Sequence, residues 1–431
     1  MRKKCCLCSF LLMFFAPVIK CWSKGTLIYE HLGRMNTPAF KDASDSSLGF
    51  EYLHKKKRSS FDSYAGLEVK YYPSNEGTLV SLPEAYVSRS RGNTDWAIGR
   101  KILKWTPHEK FWGIGELNAL KGFNLMDDDQ EGLVGIHFNK SWSNVDLSIF
   151  GSGVHLPQIN PTFTIKDGKI SGANEWTNPP PTQVRFSGQN IPVYYNLDKP
   201  PMGDLLLQKS LGTKLSYRWN KGSVSAYGIY KPENLARINA TGFYEQTTIE
   251  QASVRAKPFI NHHIMYGVNA AQDLGDLTAK VSWDTINPEH GLDDSFSFEA
   301  FKIEPVYTID SFLTASLTWD KNRYIGLSTN FIELLRGDAN NTNVFAKKPK
   351  WVRAIGFGAW WKATGKLSFS GNYRQDLVLS DILTRFESRY KFTKHVAVGL
   401  GADFLKAPKE RSYWSPYRAN DTFFSSLNYM F

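Results

Sequence analysis

Asp421 to Phe431 reads DTFFSSLNYMF, and its reading decides the fold. Side chains alternate across an extended chain, so Phe423, Ser425, Leu427, Tyr429 and Phe431 share one face. Thr422, Phe424, Ser426, Asn428 and Met430 share the other. The first face is largely apolar and the second more polar. That pattern predicts a β-strand with Phe423, Leu427, Tyr429 and Phe431 on its apolar side, its aromatics gathered toward the carboxyl end.

The opposite end carries a different signal. Arg2, Lys3 and Lys4 precede the apolar run Cys5 to Ile19, CCLCSFLLMFFAPVI. A basic start followed by about fifteen apolar residues predicts a secretory leader, too short for a comfortable transmembrane helix. Cys21-Trp22-Ser23 offers a small-x-small cleavage site, which places the leader at 1–23 and one mature domain at 24–431; lipid modification of Cys21 is the alternative. All four cysteines (Cys5, Cys6, Cys8, Cys21) precede that cut, so no disulfide framework or thiolate metal site is expected. Without Arg2, Lys3, Lys4 and Lys20, the 52 Lys and Arg fall to 48 against 41 Asp and Glu, a net charge of +7.

The mean hydropathy is −0.36, and the chain holds 13 Trp, 20 Tyr and 28 Phe. A polar average with many aromatics suits a transmembrane β-barrel with a wet interior, an apolar outer band and aromatic girdles. Periodicity points the same way. Leu367, Phe369, Gly371 and Tyr373 alternate with Lys366, Ser368, Ser370 and Asn372. Val396, Val398, Leu400, Ala402 and Phe404 alternate with Ala397, Gly399, Gly401 and Asp403. In Ile382 to Phe392, Phe386, Tyr390 and Phe392 oppose Arg385, Glu387, Arg389 and Lys391, which places those four charges in the lumen. Leu211, Leu215, Tyr217 and Trp219 likewise oppose Lys214 and Arg218. Tight connections at Asn220–Gly222, Lys362–Gly365 and Thr393–Lys394 alternate with long ones, as short periplasmic turns alternate with extracellular loops. The expectation is an all-β antiparallel transmembrane barrel of about eighteen strands, with sixteen to twenty open. Asn322 to Leu335 reads as either loop or strand, and Thr247 to Ala270 as one strand or two.

Two connections exceed what turns need: Lys104 to Glu131 and Val154 to Gln208. The second holds eight of the twenty prolines, which argues against central strands. Trp105, Phe111 and Trp112 in the first, and Phe163, Trp176, Tyr194 and Tyr195 in the second, favour packing, so both are expected to fold into or over the pore.

Two resemblances sharpen the expectation. The aromatic ending resembles the C-terminal assembly signal of Gram-negative outer-membrane β-barrels, whose last strand closes against the first. Leu82-Pro83-Glu84-Ala85-Tyr86-Val87 followed by Trp96-Ala97-Ile98-Gly99-Arg100-Lys101 resembles a hairpin of alginate-export and phosphate-selective porins, whose basic residues help line the channel. That likeness implies Glu84, Arg100 and Lys101 as pore residues. Arg100 shares a parity with Trp96 and Ile98, a conflict that either a kink or a position above the lipid would resolve.

Other chemistry finds little support. The nine His form no catalytic constellation, His262-His263 points two ways and is expected to be solvated or interfacial, and no GxSxG, HExxH or P-loop occurs. Asp127-Asp128-Asp129 lacks the spacing of a calcium loop. No cofactor, metal, catalytic residue or nucleic-acid partner is expected. The composition and pattern predict a bacterial outer-membrane, porin-like channel for small polar or anionic solutes, weakly anion-preferring. A closed barrel serving as a surface-binding platform is the alternative. Outer-membrane lipid, lipopolysaccharide and the barrel-assembly machinery are the expected partners, with oligomers allowed.

Overall fold

The computed structural model describes residues 22–431 except 36–43, 58–60, 74–76, 122–123, 127–128, 159–162, 173–175, 177–181, 187–188, 245–251, 290–300, 304–306, 322–323 and 341–346. The expected leader therefore lies outside the described residues, apart from Trp22 and Ser23. Those two already pair with Lys55 and His54, so the first strand begins ahead of the expected cleavage point.

Eighteen antiparallel strands form a closed barrel. Trp22–Arg34 pairs with Ser44–Lys57 on one side and with the last strand, Thr422–Met430, on the other. One wall strand is interrupted: Gly77–Ser81 and Ala85–Arg91 both pair with Asp62–Tyr72, broken at Leu82-Pro83-Glu84. Closure matters because an unpaired edge in an apolar medium leaves peptide N–H and C=O groups with no partner. Here Gly25 N–H donates to Phe431 O (3.1 Å) and Phe431 N–H donates to Gly25 O (3.0 Å). The Phe431 ring lies over Gly25, where any added Cβ would stand 2.5 Å from a ring carbon. An aromatic covering a strand glycine both fills the gap and fixes the register.

The two-residue period sets the faces. Phe423, Leu427, Tyr429 and Phe431 are exposed on the outside, while Thr422, Asn428 and Met430 are buried inside. Phe386 is 56% exposed and Tyr390 lies on the same outer side, leaving Arg385, Glu387, Arg389 and Lys391 on the inner one. Turning that strand around would cost about 2–4 kcal/mol for each Arg or Lys near a bilayer midplane. Tight turns at Arg91–Thr94, Trp142–Val145, Trp219–Gly222, Leu274–Leu277 and Lys391–Val396 share one end with both chain termini. Longer connections occupy the other end.

Both segments left open by the sequence resolve. Ile325–Arg336 is a full wall strand pairing with Asp310–Lys321 and Arg353–Lys362. The 247–270 region holds two strands, of which only His262–Leu274 belongs to the barrel. Ala252–Phe259 joins Gln183–Phe186, Gln189–Leu197, Arg237–Tyr244 and Phe301–Ile303 in a second, five-stranded sheet built from the long connections. The proline argument against strands in 154–208 therefore fails outside the wall. Pro192 pairs in register with Gln183, but the parallel pairing of its strand with Ala252–Phe259 begins only at Val193, so no ladder bond on that side is lost.

Replacing both Tyr429 and Phe431 with Ser should sharply reduce folded barrel in membranes, measured as the heat-modifiable band on gels. Wild-type levels of that band would show that this strand's apolar face is dispensable.

Candidate channel and its crossbar

The connection between wall strands Thr94–Lys101 and Leu133–Trp142 turns into the lumen and crosses it. Its root depends on a break in alternation. Ile98 is 53% exposed and Arg100 only 6%, although they share a parity. Between them Gly99 has φ 130°, where a Cβ would stand 2.2 Å from Ala85 O. Only glycine fits that backbone and that approach, and of the two ways out of the parity conflict, a kink or a position above the lipid, it supplies the kink.

Arg100, thus buried, donates to Gly132 O (2.8 Å), Leu82 O (2.9 Å) and Glu131 Oε2 (3.0 Å). Ser81 Oγ donates to Glu131 Oε1 (2.5 Å), and Ile102 N–H donates to Glu84 Oε1 (2.9 Å). Glu84 and Arg100 are thus committed to the root of the crossing segment. Lys101 places its ammonium 5.1 Å from the Tyr86 ring centroid.

The segment then runs wall to wall. Lys104 O and Trp105 O accept from Lys214 Nζ (3.4 and 3.5 Å), and Asn269 Nδ2 donates to Trp105 O (2.8 Å). A single helical turn, Glu109–Trp112, carries Phe111 and Trp112 to the far wall. There Gly356 leaves them room: a Cβ would meet Phe111 at 2.5 Å. Arg374 stands over Phe111, Trp351 Nε1 donates to Trp112 O (2.7 Å), and Lys350 donates to Gly113 O. Trp112, Trp351 and Trp414 form a continuous aromatic file, part of a buried cluster with Leu117, Ile332 and Leu383.

At its innermost point, Gly115 and Glu116 are held by Asn234 Nδ2 (2.6 and 3.0 Å to their carbonyls) and Lys231 Nζ (2.9 Å to Glu116 O). Lys347 Nζ lies 2.6 Å from the Glu116 carboxylate and His263 Nδ1 lies 3.8 Å from it. His263 is fully buried beside Lys231, so the expectation of a solvated or interfacial histidine is wrong at this position. His262 does point elsewhere, stacked on Tyr230. On the return, Lys121 pairs with Glu68 of the wall strand Asp62–Tyr72, and through Lys70 the chain of charges reaches Glu30 (3.2 and 3.3 Å). Lys121 also reaches Asp129, as does Lys110 (3.4 Å each). Asp127 and Asp128 lie outside the described residues.

Inside the crossing segment, Glu109 binds it together. Its carboxylate accepts from Leu117 N–H, Asn118 N–H (3.4 Å), Thr106 Oγ1 (3.3 Å) and Gln130 Nε2 (3.3 Å). Burial pushes its acid up to about 7, while the Leu117 and Asn118 amides pull the other way. Pinned to three parts of the wall, this segment is a crossbar.

Space remains on both sides of it. Toward the turn end, a cavity of about 250 Å³ is bounded by Lys24, Thr26, Glu30, Glu51, Glu387 and Arg389. Toward the loop end, about 430 Å³ lies between Glu116, Lys347, Lys348, Trp351, Tyr413 and Tyr417. Arg385, on the wall, is 3.7 Å from Asp403 and stands over Phe424. Lys391 ends its strand at the turn end, where Arg218 pairs with Asp146 (2.7 Å). Of the residues marked by sequence, Glu387 and Arg389 therefore border open lumen, whereas Glu84, Arg100 and Lys214 hold the crossbar. Glu68, Glu116, Lys121, Lys231 and Asn234 carried no sequence signal of their role.

The sequence matches no protein-family model and no curated protein. Solved structures give likenesses of architecture over nearly the whole chain. One is OmpF of Salmonella typhi in complex with daunomycin, at 11% identity and TM-score 0.44, covering 95% of this chain and 97% of that one. Another is OccK8 (OprE) of Pseudomonas aeruginosa, at 10% identity and TM-score 0.46, covering 96% and 98%. OccK11 (OpdR) of the same organism stands at 10% and 0.46, covering 95% of each chain.

Arg100→Leu should destabilise the crossbar root by roughly 3–5 kcal/mol, because Glu131 is left charged and buried without its partner. Adding Glu131→Leu should restore much of that loss. Denaturant midpoints of the two variants check this, and equal midpoints for the single and double variants would contradict the pairing.

Proposed function

We propose that the chain is a bacterial outer-membrane channel for passive diffusion of small polar solutes, weakly anion-preferring, made with a secretory leader. Lipid and lipopolysaccharide would contact its apolar band, and the assembly machinery would read its last strand. The observation that carries the reading is the unfilled, charged lumen beside the crossbar. Glu51 remains exposed inside the barrel, and side chains of Trp22–Arg34, Ser44–Lys57, Ile382–Lys391 and Thr422–Met430 border the turn-end cavity.

The charge balance moves the source of selectivity. Arg385, Glu387, Arg389 and Lys391 sum to +2, but Asp403 beside Arg385 reduces that wall to +1. The turn-end cavity sets Lys24 and Arg389 against Glu30, Glu51 and Glu387, a net −1. The loop-end cavity sets Lys347, Lys348 and Lys350 against Glu116, Glu233 and Asp310, and adjoining Lys231 and Arg237 raise it to +2. Two charges about 10 Å from an ion in water contribute about 0.8 kcal/mol before screening. With a Debye length of about 10 Å at 0.1 M salt, roughly a third survives, a preference under about twofold. Lys348 has no hydrogen-bonding or ionic partner among the described residues, which makes it the cleanest charge to reverse.

One observation favours a second reading, a closed platform: the apolar cluster and the second sheet occupy the loop end. Liposome swelling separates the two. Folded protein should admit a small neutral sugar, and no swelling with any small solute would favour the platform. In asymmetric salt at low ionic strength, Lys348→Glu should move the reversal potential toward cations; an unchanged potential would remove the loop-end cavity from the ion path.

A further inference from the structure

At the turn end, the outer surface differs in charge from one wall to another. The wall formed by Arg353–Lys362, Leu367–Asp376 and Ile382–Lys391 presents neutral rings there: Trp361, Phe369 and Tyr390 are exposed, while Lys362 and Lys391 beside them have the inward parity. On Ala85–Arg91, Thr94–Lys101 and Leu133–Trp142 cations take the outward positions. Side chains alternate, so Arg89 and Arg91 share the outward face of Val87, and Lys140 shares that of Ile136. Among the described residues of these strands and of Asp62–Tyr72 and Val145–Ser152 beside them, no carboxylate shares that face. Asp62, Glu68, Asp95 and Asp146 all have the inward parity.

Strand register brings the three cations together. Arg91 is level with Thr94, and Thr94 with Lys140, so the backbones of the two cations lie two strand spacings, about 10 Å, apart. Lys140 Nζ donates to Thr94 Oγ1 (3.0 Å), which leans its ammonium across toward Arg91. Arg89, one outward position above Arg91, stands 5.5 Å over the Phe61 ring, and Phe61 meets Trp96 edge to face at 6.2 Å. This ring pair holds the guanidinium beside the other two charges. Arg91 is exposed and has no hydrogen-bonding or ionic partner among the described residues. Trp142, one outward position nearer the turn than Lys140, and Tyr217 level with it mark the depth at which aromatic rings meet headgroups. Directly above the cations, Val87, Ile98 and Ile136 pair in one exposed aliphatic row.

We propose that Arg89, Arg91 and Lys140 form a binding site for an anionic phospholipid in the leaflet at the turn end. Three like charges on a lipid-facing wall repel one another, and with no carboxylate on that face the neutralising group must come from outside the chain. Guanidinium groups grip phosphate oxygens in pairs, and the ammonium adds a point charge. The aliphatic row above takes the acyl chains of the same molecule. A free phosphate would leave that row uncovered. A zwitterionic headgroup would bring a further cation to a site that already holds three, so the net negative headgroup is the one the site selects.

The inference rests on the membrane placement proposed above, though not on conduction. The purified chain is folded into phosphatidylcholine vesicles holding a minority of phosphatidylglycerol, floated with them, and extracted in mild detergent. Native mass spectrometry then identifies the lipid that stays bound. The expected result is phosphatidylglycerol enriched over its share of the vesicle. Arg91→Gln should lower that enrichment about fivefold, and Arg89→Gln, Arg91→Gln and Lys140→Gln together should abolish it. The same three-fold removal of charge at Lys362, Lys366 and Lys394, exposed at the turns of the other wall, should leave it intact. The heat-modifiable band shows that each variant is folded, and the partnerless Arg91 gives a variant that breaks no internal bond. Vesicle-like lipid proportions on the wild type, an equal loss in the control triple variant, or displacement of the lipid by added inorganic phosphate would overturn the site. A chain that does not float with the vesicles would overturn the membrane placement, and this inference with it.

Discussion

The structure depends on the pairing of its first strand with its last. Each backbone polar group left unpaired in hydrocarbon costs several kcal/mol, and a barrel removes that cost only by leaving no edge. The register of Trp22–Arg34 on Thr422–Met430 is therefore the constraint from which the rest follows. It sets the outer face, hence which charges turn inward, hence what lines the lumen. Phe431 over Gly25 marks the point where sequence fixes that register most directly.

Within the closed wall the crossbar does the shaping. A segment this long inside a barrel must satisfy its own carbonyls, and here the wall strands (Asn269, Lys231, Lys214) and the connections beside them (Asn234, Trp351) supply the donors. Its charges are matched by Glu68 on one side and Lys347 on another. With anchors spread around the wall, opening the lumen by swinging this segment aside would break several buried bonds together. A fixed constriction of the lumen follows.

The wall was legible in the sequence because a strand's period is local. Phe386 and Tyr390 against Arg385 and Arg389 need no knowledge of neighbours, and neither does the terminal strand. The parity conflict at Arg100 was legible too, but not its resolution: that Gly99 relieves it by a kink rests on a close approach to Ala85 that only the fold reveals. What was not legible is nonlocal. Lys121 meets Glu68 across 53 residues and Lys231 meets Glu116 across 115, in stretches without periodicity. The second sheet was hidden for a related reason: its strands come from different connections, and prolines within and around Gln189–Leu197 argued against strands when judged one segment at a time.

The central claim is that a water-filled path survives beside the crossbar. Single-channel recording of the purified, heat-modifiable barrel in a planar bilayer tests it most directly. The account predicts stable, repeatable current steps without bursts of full closure. Electrical silence from protein shown to be folded and inserted would contradict it.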